Sequence, residues 1–218
     1  MEIIEAIKNR HSVRQYEDKK IEKDIIEKLQ AEIDCCNKQG NLRIHLITDE
    51  PKAFDGFMAH YGKFSGVTNY IALVGKKSKN LSELCGYYGE KIVIKAQQLG
   101  LNTCWVALTY KKIPTAFKVG KGEKLVLVIS VGYGKTQGAN RKKKTVEKVS
   151  NANCETPDWF KAGVETALLA PTAVNQQKFK FIYSNGKVKA KAGLGFYTKV
   201  YLGIVKYHFE IGSGRKID

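Results

Sequence analysis

The sequence is short of acid. In 218 residues, 21 Asp and Glu stand against 37 Lys and Arg, a net charge of +16. Such a balance turns a chain toward anionic partners: phosphate-bearing cofactors, nucleic acid or an acidic membrane surface. No apolar run approaches the roughly 20 residues that a membrane-spanning helix needs. The opening "MEIIEAIKNRH" carries two glutamates and is amphipathic, which argues against a signal peptide. The five cysteines include the neighbours Cys35 and Cys36 and form no C-x-x-C. Their odd number and spacing argue against a disulfide framework or a zinc site and fit a reducing cytoplasm. A P-loop, a G-x-G-x-x-G and a nucleophile elbow are missing too. What is present is ordinary for a globular protein, with 43% hydrophobic and 10% aromatic residues. The length suits one large domain or two small ones around a real core. The lysine excess is spread along the chain, so basicity alone points only weakly to nucleic acid.

Apolar periodicity predicts alternating helices and strands. "MEIIEAIKNR" carries Ile3, Ile4 and Ile7 at helical spacing, and Ile21, Ile25, Leu29 and Ile33 mark an amphipathic helix over 21–38. "LRIHLIT" (42–48) alternates as a strand does, and "NYIALVG" (69–75) reads as a buried strand. "LSELCGYYGEKIVIKAQQLGL" is a long helix closed by Gly100. "NTCWVAL" and "EKLVLVISVGYG" are further strands, the second apolar enough for a sheet centre. The stretch from Gly134 to Pro157 is basic and turn-rich, and reads as a connection. Beyond it come a helix over 157–170, a hairpin over 178–192 with an Asn185-Gly186 turn, and a final helix, "YLGIVKYHFEIGSG". The second run echoes the first. Helix 21–38 and strand 42–48 are answered by helix 157–170 and strand 178–184, and "YYGEKIVIKAQQLGL" is answered by "VYLGIVKYHFEIGSG". This is an imperfect, shortened duplication, or a chance likeness of two helix–strand units.

Two stretches carry candidate chemistry. "KNRHSVRQY" sets Arg10, His11, Ser12 and Arg14 close together. Arg grips phosphate oxygens with a planar fork and Ser adds a hydroxyl donor. In an extended segment, Arg10, Ser12 and Arg14 point the same way. The cluster is either such a cradle or a solvated helix end favoured by the helix dipole. "LLAPTAVNQQKFKFIY" leaves small residues and amides after a helix. Such residues let a flat ligand approach the backbone, or they form a plain loop. Cys104 has no evident base partner and reads as a buried thiol. Trp105 either stacks on an aromatic ligand or fills core, "NRKKK" (140–144) is a phosphate arm or a basic loop, and His45, His60 and His208 read as structural.

Taken together, these residues resemble the nitroreductase family of FMN-dependent oxidoreductases. "RHSVRQY" is similar to that family's R-[RH]-S-[VI]-R-x-[FY] signature, "LGLNTCWV" to its "LGLGTCWI", and "LVLVISVGYG…NR" to its core strand and later phosphate-binding Arg. The likeness departs at one place. The family's "APSAxNxQPW" normally follows the second helix, where this chain reads "EIDCCNKQGNLRI", and the similar "APTAVNQQKF" stands at 170–179 instead.

The resemblance implies an α+β, nitroreductase-like fold: a central, mainly antiparallel sheet flanked by helices, with an internal pseudo-duplication. Residues 1–150 would carry the cradle, and 151–218 would be a shortened second half supplying the loop, together one compact unit. Family members are intertwined homodimers whose flavin sites draw on both subunits, so this chain resembles such a dimer fused into one polypeptide, with one complete site. Carried over, Arg10, Ser12 and Arg14 would hold the FMN phosphate, with His11 near it and Arg141 closing. Pro171, Thr172, Ala173 and Asn175 would pack along the flavin ring with Gln176 behind. Trp105, Val106, Ala107 and Leu108 would line the other side, and Lys63 would reach the ring's pyrimidine edge. No side chain is expected to act as a catalytic acid or base.

The implied activity is hydride transfer from NAD(P)H through the flavin N5 to a nitroaromatic, quinone or similar small acceptor, in the cytoplasm, as a monomer or homodimer. The alternatives are a flavin-binding or basic interaction protein without NAD(P)H turnover and, ranked below both, a nucleic-acid binder using "NRKKK".

Overall fold

The expected helices and strands all form in the computed structural model of the chain, which describes residues 1–217. Helix α1 spans Ile3–Asn9 and α2 spans Lys23–Gly40. Along α2 the positions Leu29, Ile33 and Cys36 recur at helical spacing and are buried. The helix ends on Asn41 in the left-handed region, with φ 48°. Asn37 then pins the next strand by exchanging two hydrogen bonds with the backbone of Ile44. That strand, β1 (His45–Ile47), is followed by a short helix α3 (Phe57–Tyr61), strand β2 (Tyr70–Lys76) and the long helix α4 (Leu81–Gln98). Gly100, at φ 82°, turns the chain out of α4 as expected.

Strands β3 (Asn102–Val106) and β4 (Glu123–Gly132) complete a four-stranded sheet of order β1-β2-β4-β3, antiparallel throughout. The apolar run of β4 takes an inner position because both of its faces are covered. Ile129 and Val131 point into the larger core beneath the helices, while Val128 joins Tyr70, Ala72, Val74, Phe54 and Phe64 in a second core on the opposite face.

The second run folds differently from the first. The connection contains a short helix α5 (Val146–Val149), and α6 (Asp158–Ala167) ends before Pro171. Strands β5 (Phe179–Ser184) and β6 (Lys187–Ala192) form a two-stranded sheet of their own, with one parallel bridge from Phe181 to Ser150 in the connection. Their turn has Asn185 at φ 49° and Gly186 at φ 76°, the two left-handed residues that a tight hairpin of matching twist requires. Strand β5 therefore does not stand in a sheet as β1 does; Phe181 instead stacks on Phe209 of the last helix, α7 (Thr198–Ser213), at 4.7 Å between centroids.

Helix α2 packs on α4, α6 packs on α7, and α4 and α7 lie against each other. Where they cross, Gly86 faces the Val200 carbonyl and Gly203 faces the backbone of Glu83 and Tyr87, leaving no room for a Cβ on either. No helix among the described residues is long and apolar enough to cross a membrane.

Candidate functional site

The cation cluster begins where α1 stops. Arg10 caps that helix in extended conformation, its N–H still bonded to the Ala6 carbonyl at 2.9 Å. The chain then runs beside β3, with Ser12 bridged to Thr103 in parallel and the Val13 N–H bonded to the Thr103 carbonyl at 3.0 Å. Extended backbone alternates its side chains. Val13 enters the second core, whereas Ser12 and Arg14 turn to the opposite side and line a cleft.

The far wall of that cleft comes from the other end of the sequence. Pro171, Thr172 and Ala173 form it, together with Tyr197, Val200, Tyr201 and Ile204 from the start of α7. From the first half come Cys104, Trp105 and Ala107. The cleft is open and shallow, with a cavity volume of about 140 Å³, below the roughly 300–1,000 Å³ usual for small-molecule sites, and a second space adjoins it. A neighbouring hollow is lined by Arg10, His11, Arg141, Lys143 and Asn175.

The wall loop is held in an uncommon backbone. Val174, Asn175 and Gln177 have φ of 44°, 54° and 45°. A β-branched residue there is a clear outlier, and such conformations persist only where surrounding bonds over-determine them. Here the bonds come from the basic connection. Lys144 Nζ donates to the carbonyls of Gln176 and Gln177 at 2.9 and 2.8 Å, and the Lys144 N–H donates to Gln177 Oε1 at 2.9 Å. Asn175 Nδ2 and Gln177 Nε2 both donate to the Lys142 carbonyl at 2.9 Å. The "NRKKK" segment is thus a brace for the loop as well as a source of charge.

Electrostatically, the hollow beside the cleft is bordered by positive charge. Arg10 is 2% exposed, and its Nε and both terminal nitrogens lack a hydrogen-bond partner among the described residues. Burial lowers its pKa, with the Glu90 carboxylate acting the other way. Burial, and then Arg10, bring Arg141 down to about 10, still cationic at neutral pH. Burial, Arg10 and Arg141 together lower the pKa of His11. Two buried guanidiniums beside an imidazole whose pKa they lower are groups that an anion would complement.

Behind this border lies a buried polar hub. Glu90 of α4 is fully buried, and its Oε2 accepts the Trp105 indole N–H at 2.9 Å. Its Oε1 lies 2.8 Å from His208 Nε2 and 3.8 Å from Arg10 Nε. His208 Nδ1 faces the Thr166 carbonyl at 3.2 Å. A carbonyl and a carboxylate oxygen both accept, so the ring's tautomer decides which of these two contacts carries its N–H. One carboxylate thereby joins Arg10, the cleft wall at Trp105, and α7.

A family profile described as "Putative TM nitroreductase" matches residues 2–213. The chain belongs to the nitroreductase family. It is 26% identical to the solved structure of a "putative nitroreductase" from Thermotoga maritima, with a TM-score of 0.66 over 97% of this chain and 83% of that one. Its fold is also that of a "Putative NADH dehydrogenase/NAD(P)H nitroreductase" from Parabacteroides distasonis, at 23% identity and TM-score 0.54 over 67% of this chain and 95% of the other. A "Putative NADH Oxidase" from Clostridium acetobutylicum matches at 22% identity and TM-score 0.51, over 70% and 99%. No curated protein matches the sequence.

In this chain the residues singled out from sequence divide into three groups. Ser12, Arg14, Trp105, Ala107, Pro171, Thr172 and Ala173 meet in the cleft, and Arg10, His11, Arg141 and Asn175 meet in the adjoining hollow. Arg10 therefore does not line the cleft with Ser12 and Arg14: it borders the hollow, with its buried guanidinium 3.8 Å from Glu90. The third group lines neither space. Val106 faces the second core because β3 alternates, Leu108 is 68% exposed, and Gln176 donates its Nε2–H to the Phe196 carbonyl at 2.9 Å. Lys63, at φ 61°, sits in the turn after α3.

Sequence reasoning passed over Glu90, Gln177 and Tyr201, read Lys144 only as part of a phosphate arm or basic loop, and gave His208 only a structural role. The one available signal was a glutamate among the apolar residues of the long helix.

Proposed function

We propose that the chain is an FMN-dependent oxidoreductase that takes reducing equivalents from NAD(P)H and delivers them to a nitroaromatic, quinone or similar small acceptor. The observation that carries this reading is the Arg10 guanidinium, buried beside Arg141 with the Glu90 carboxylate 3.8 Å away but no hydrogen-bond partner among the described residues, next to an apolar cleft. A flat ring bearing a phosphate satisfies both spaces at once.

On this reading Arg10 and Arg141 hold the phosphate with His11 beside it, and Ser12 and Arg14 contact the ligand from the first half of the chain. Trp105 and Ala107 cover one side of the ring, while Pro171, Thr172 and Ala173 cover the other. Asn175 stands on the phosphate side. FMN supplies the redox chemistry when bound, accepting hydride at N5 and passing electrons on. The protein binds, orients and excludes water, and no side chain is assigned a proton-transfer role.

The site draws on both ends of one polypeptide. The Parabacteroides and Clostridium chains are matched over 95% and 99% of their own length by 67% and 70% of this one. This supports a fused pseudo-dimer in which the second half takes the place of a partner subunit, giving one flavin site per chain in either a monomer or a homodimer.

The purified protein should show flavin absorption bands, or gain them with FMN, and should oxidise NADH or NADPH with menadione or nitrofurazone. A protein that stays colourless with FMN overturns the proposal. A loaded but inert protein reduces it to flavin binding without turnover. Arg14→Ala should weaken FMN binding by at least tenfold in a fluorescence-quenching titration, the effect of losing one hydrogen bond from a charged group.

A further inference from the structure

Helix α7 brings a tyrosine to the cleft that the reading above leaves without a task. Tyr201 is 2% exposed, lines the cleft, and sits among Val200, Leu202, Ile204 and Val205, all buried and apolar. Its hydroxyl has no hydrogen-bond partner among the described residues. A buried hydroxyl that gives up its hydration for nothing is a standing cost to the fold, and phenylalanine would fill the same space without it. Tyr70 also has an unpartnered hydroxyl, but it lies in the second core on the other face of the sheet. Tyr201 is the one on the cleft.

We propose that the Tyr201 hydroxyl donates a hydrogen bond to a ring carbonyl or ring nitrogen of the planar ligand that fills the cleft. The inference rests on the flavin reading and assigns that site a polar contact from the second half of the chain, directed at the ring and not at the phosphate. Burial raises the hydroxyl's pKa to about 12, so it keeps its proton and remains a donor throughout the neutral range. The acceptor chemistry, a conjugated carbonyl or imine nitrogen at the edge of a flat ring, is shared by the flavin and by a quinone.

The test is Tyr201→Phe, with Tyr70→Phe as the control. Loss of the orphaned hydroxyl should raise the melting temperature of the flavin-free protein by about 2–4 °C in both variants. In Tyr201→Phe alone, the dissociation constant should rise by about tenfold, and by the same factor for riboflavin as for FMN, because the contact is to the ring. If flavin affinity holds but the KM for menadione rises by that factor at saturating FMN, the hydroxyl serves the electron acceptor instead, still through the proposed bond. Unchanged flavin affinity together with unchanged KM overturns the inference, as does a tenfold loss for FMN without one for riboflavin. A wild-type protein that binds neither flavin overturns the parent reading and this one with it, a result distinct from wild-type binding that the substitution fails to weaken.

Discussion

At the level of single residues, the site is defined by groups placed where they are uncomfortable without a ligand. Arg10 is buried with bare nitrogens, Val174 sits in left-handed backbone, and His11 is pressed between its own burial and two guanidiniums. The histidine gives a pH dependence whose sign follows from linkage. Its folded pKa lies below the unfolded value near 6.5, so the unfolded chain takes up the proton first as pH falls. Stability from this group is therefore complete above about 6.5 and declines as pH drops through that value toward the folded pKa. His45 is also lowered, mainly by burial, and acts in the same direction. The urea midpoint of the flavin-free protein should be lower at pH 5.5 than at pH 7.5, and saturating inorganic phosphate should narrow the gap by favouring protonated His11. Equal midpoints with and without phosphate at pH 5.5 would count against an anion site beside this residue.

At the level of elements, the decisive contact is between α4 and α7. Their glycines let two backbones touch, and a Cβ at Gly86 would meet the Val200 carbonyl oxygen, which has no freedom to move aside. Gly86→Ala should cost about 2–3 kcal/mol, at the upper end of overpacking in a tight core, read as a lowered denaturant midpoint. Because the cleft wall at Val200 and Tyr201 rides on α7, flavin affinity should fall too. The same pair of helices carries the Glu90–His208 contact. Glu90→Ala strands the Trp105 N–H, His208 and Arg10 in a dry interior, and truncating one partner of such a buried set costs about 3–5 kcal/mol. Glu90→Gln keeps an oxygen for the indole and should cost less. If the two variants unfold at the same denaturant concentration, the carboxylate is not the hub that the geometry describes.

For the molecule as a whole, the larger core runs without a break from Leu29 and Ile33 of α2 through Ile71 and Ile129 of the sheet to Val164 of α6 and Phe209 of α7. Residues 1–150 and 151–217 therefore share one interior. A single site walled by both ends of the chain predicts a flavin-to-polypeptide ratio of about one at saturation, measured by absorbance against protein concentration, whether the protein runs as a monomer or as a dimer. A ratio of about one-half would mean that two chains are needed per site, and the fused reading would fail.

Much of this was legible in the residues. Local pattern is enough to form α2, α4, β4 and the Asn185-Gly186 hairpin, because each depends on periodicity or on the backbone freedom of a few turn residues. The pairing of "RHSVR" with "APTAVNQQ" came from the family resemblance and not from local pattern, which left each stretch open between a ligand contact and a plain helix end or loop. Other features depend on packing between distant segments. Only the tertiary structure turned Arg10 inward toward Glu90 and kept β5 out of the four-stranded sheet. It alone joined Glu90 to His208 across 118 positions, and braced the strained loop with Lys144. The physical reason is the same in each case. Periodicity says which face of an element is buried, but a buried polar group is specified by its partner, and the partner is set by where another helix crosses.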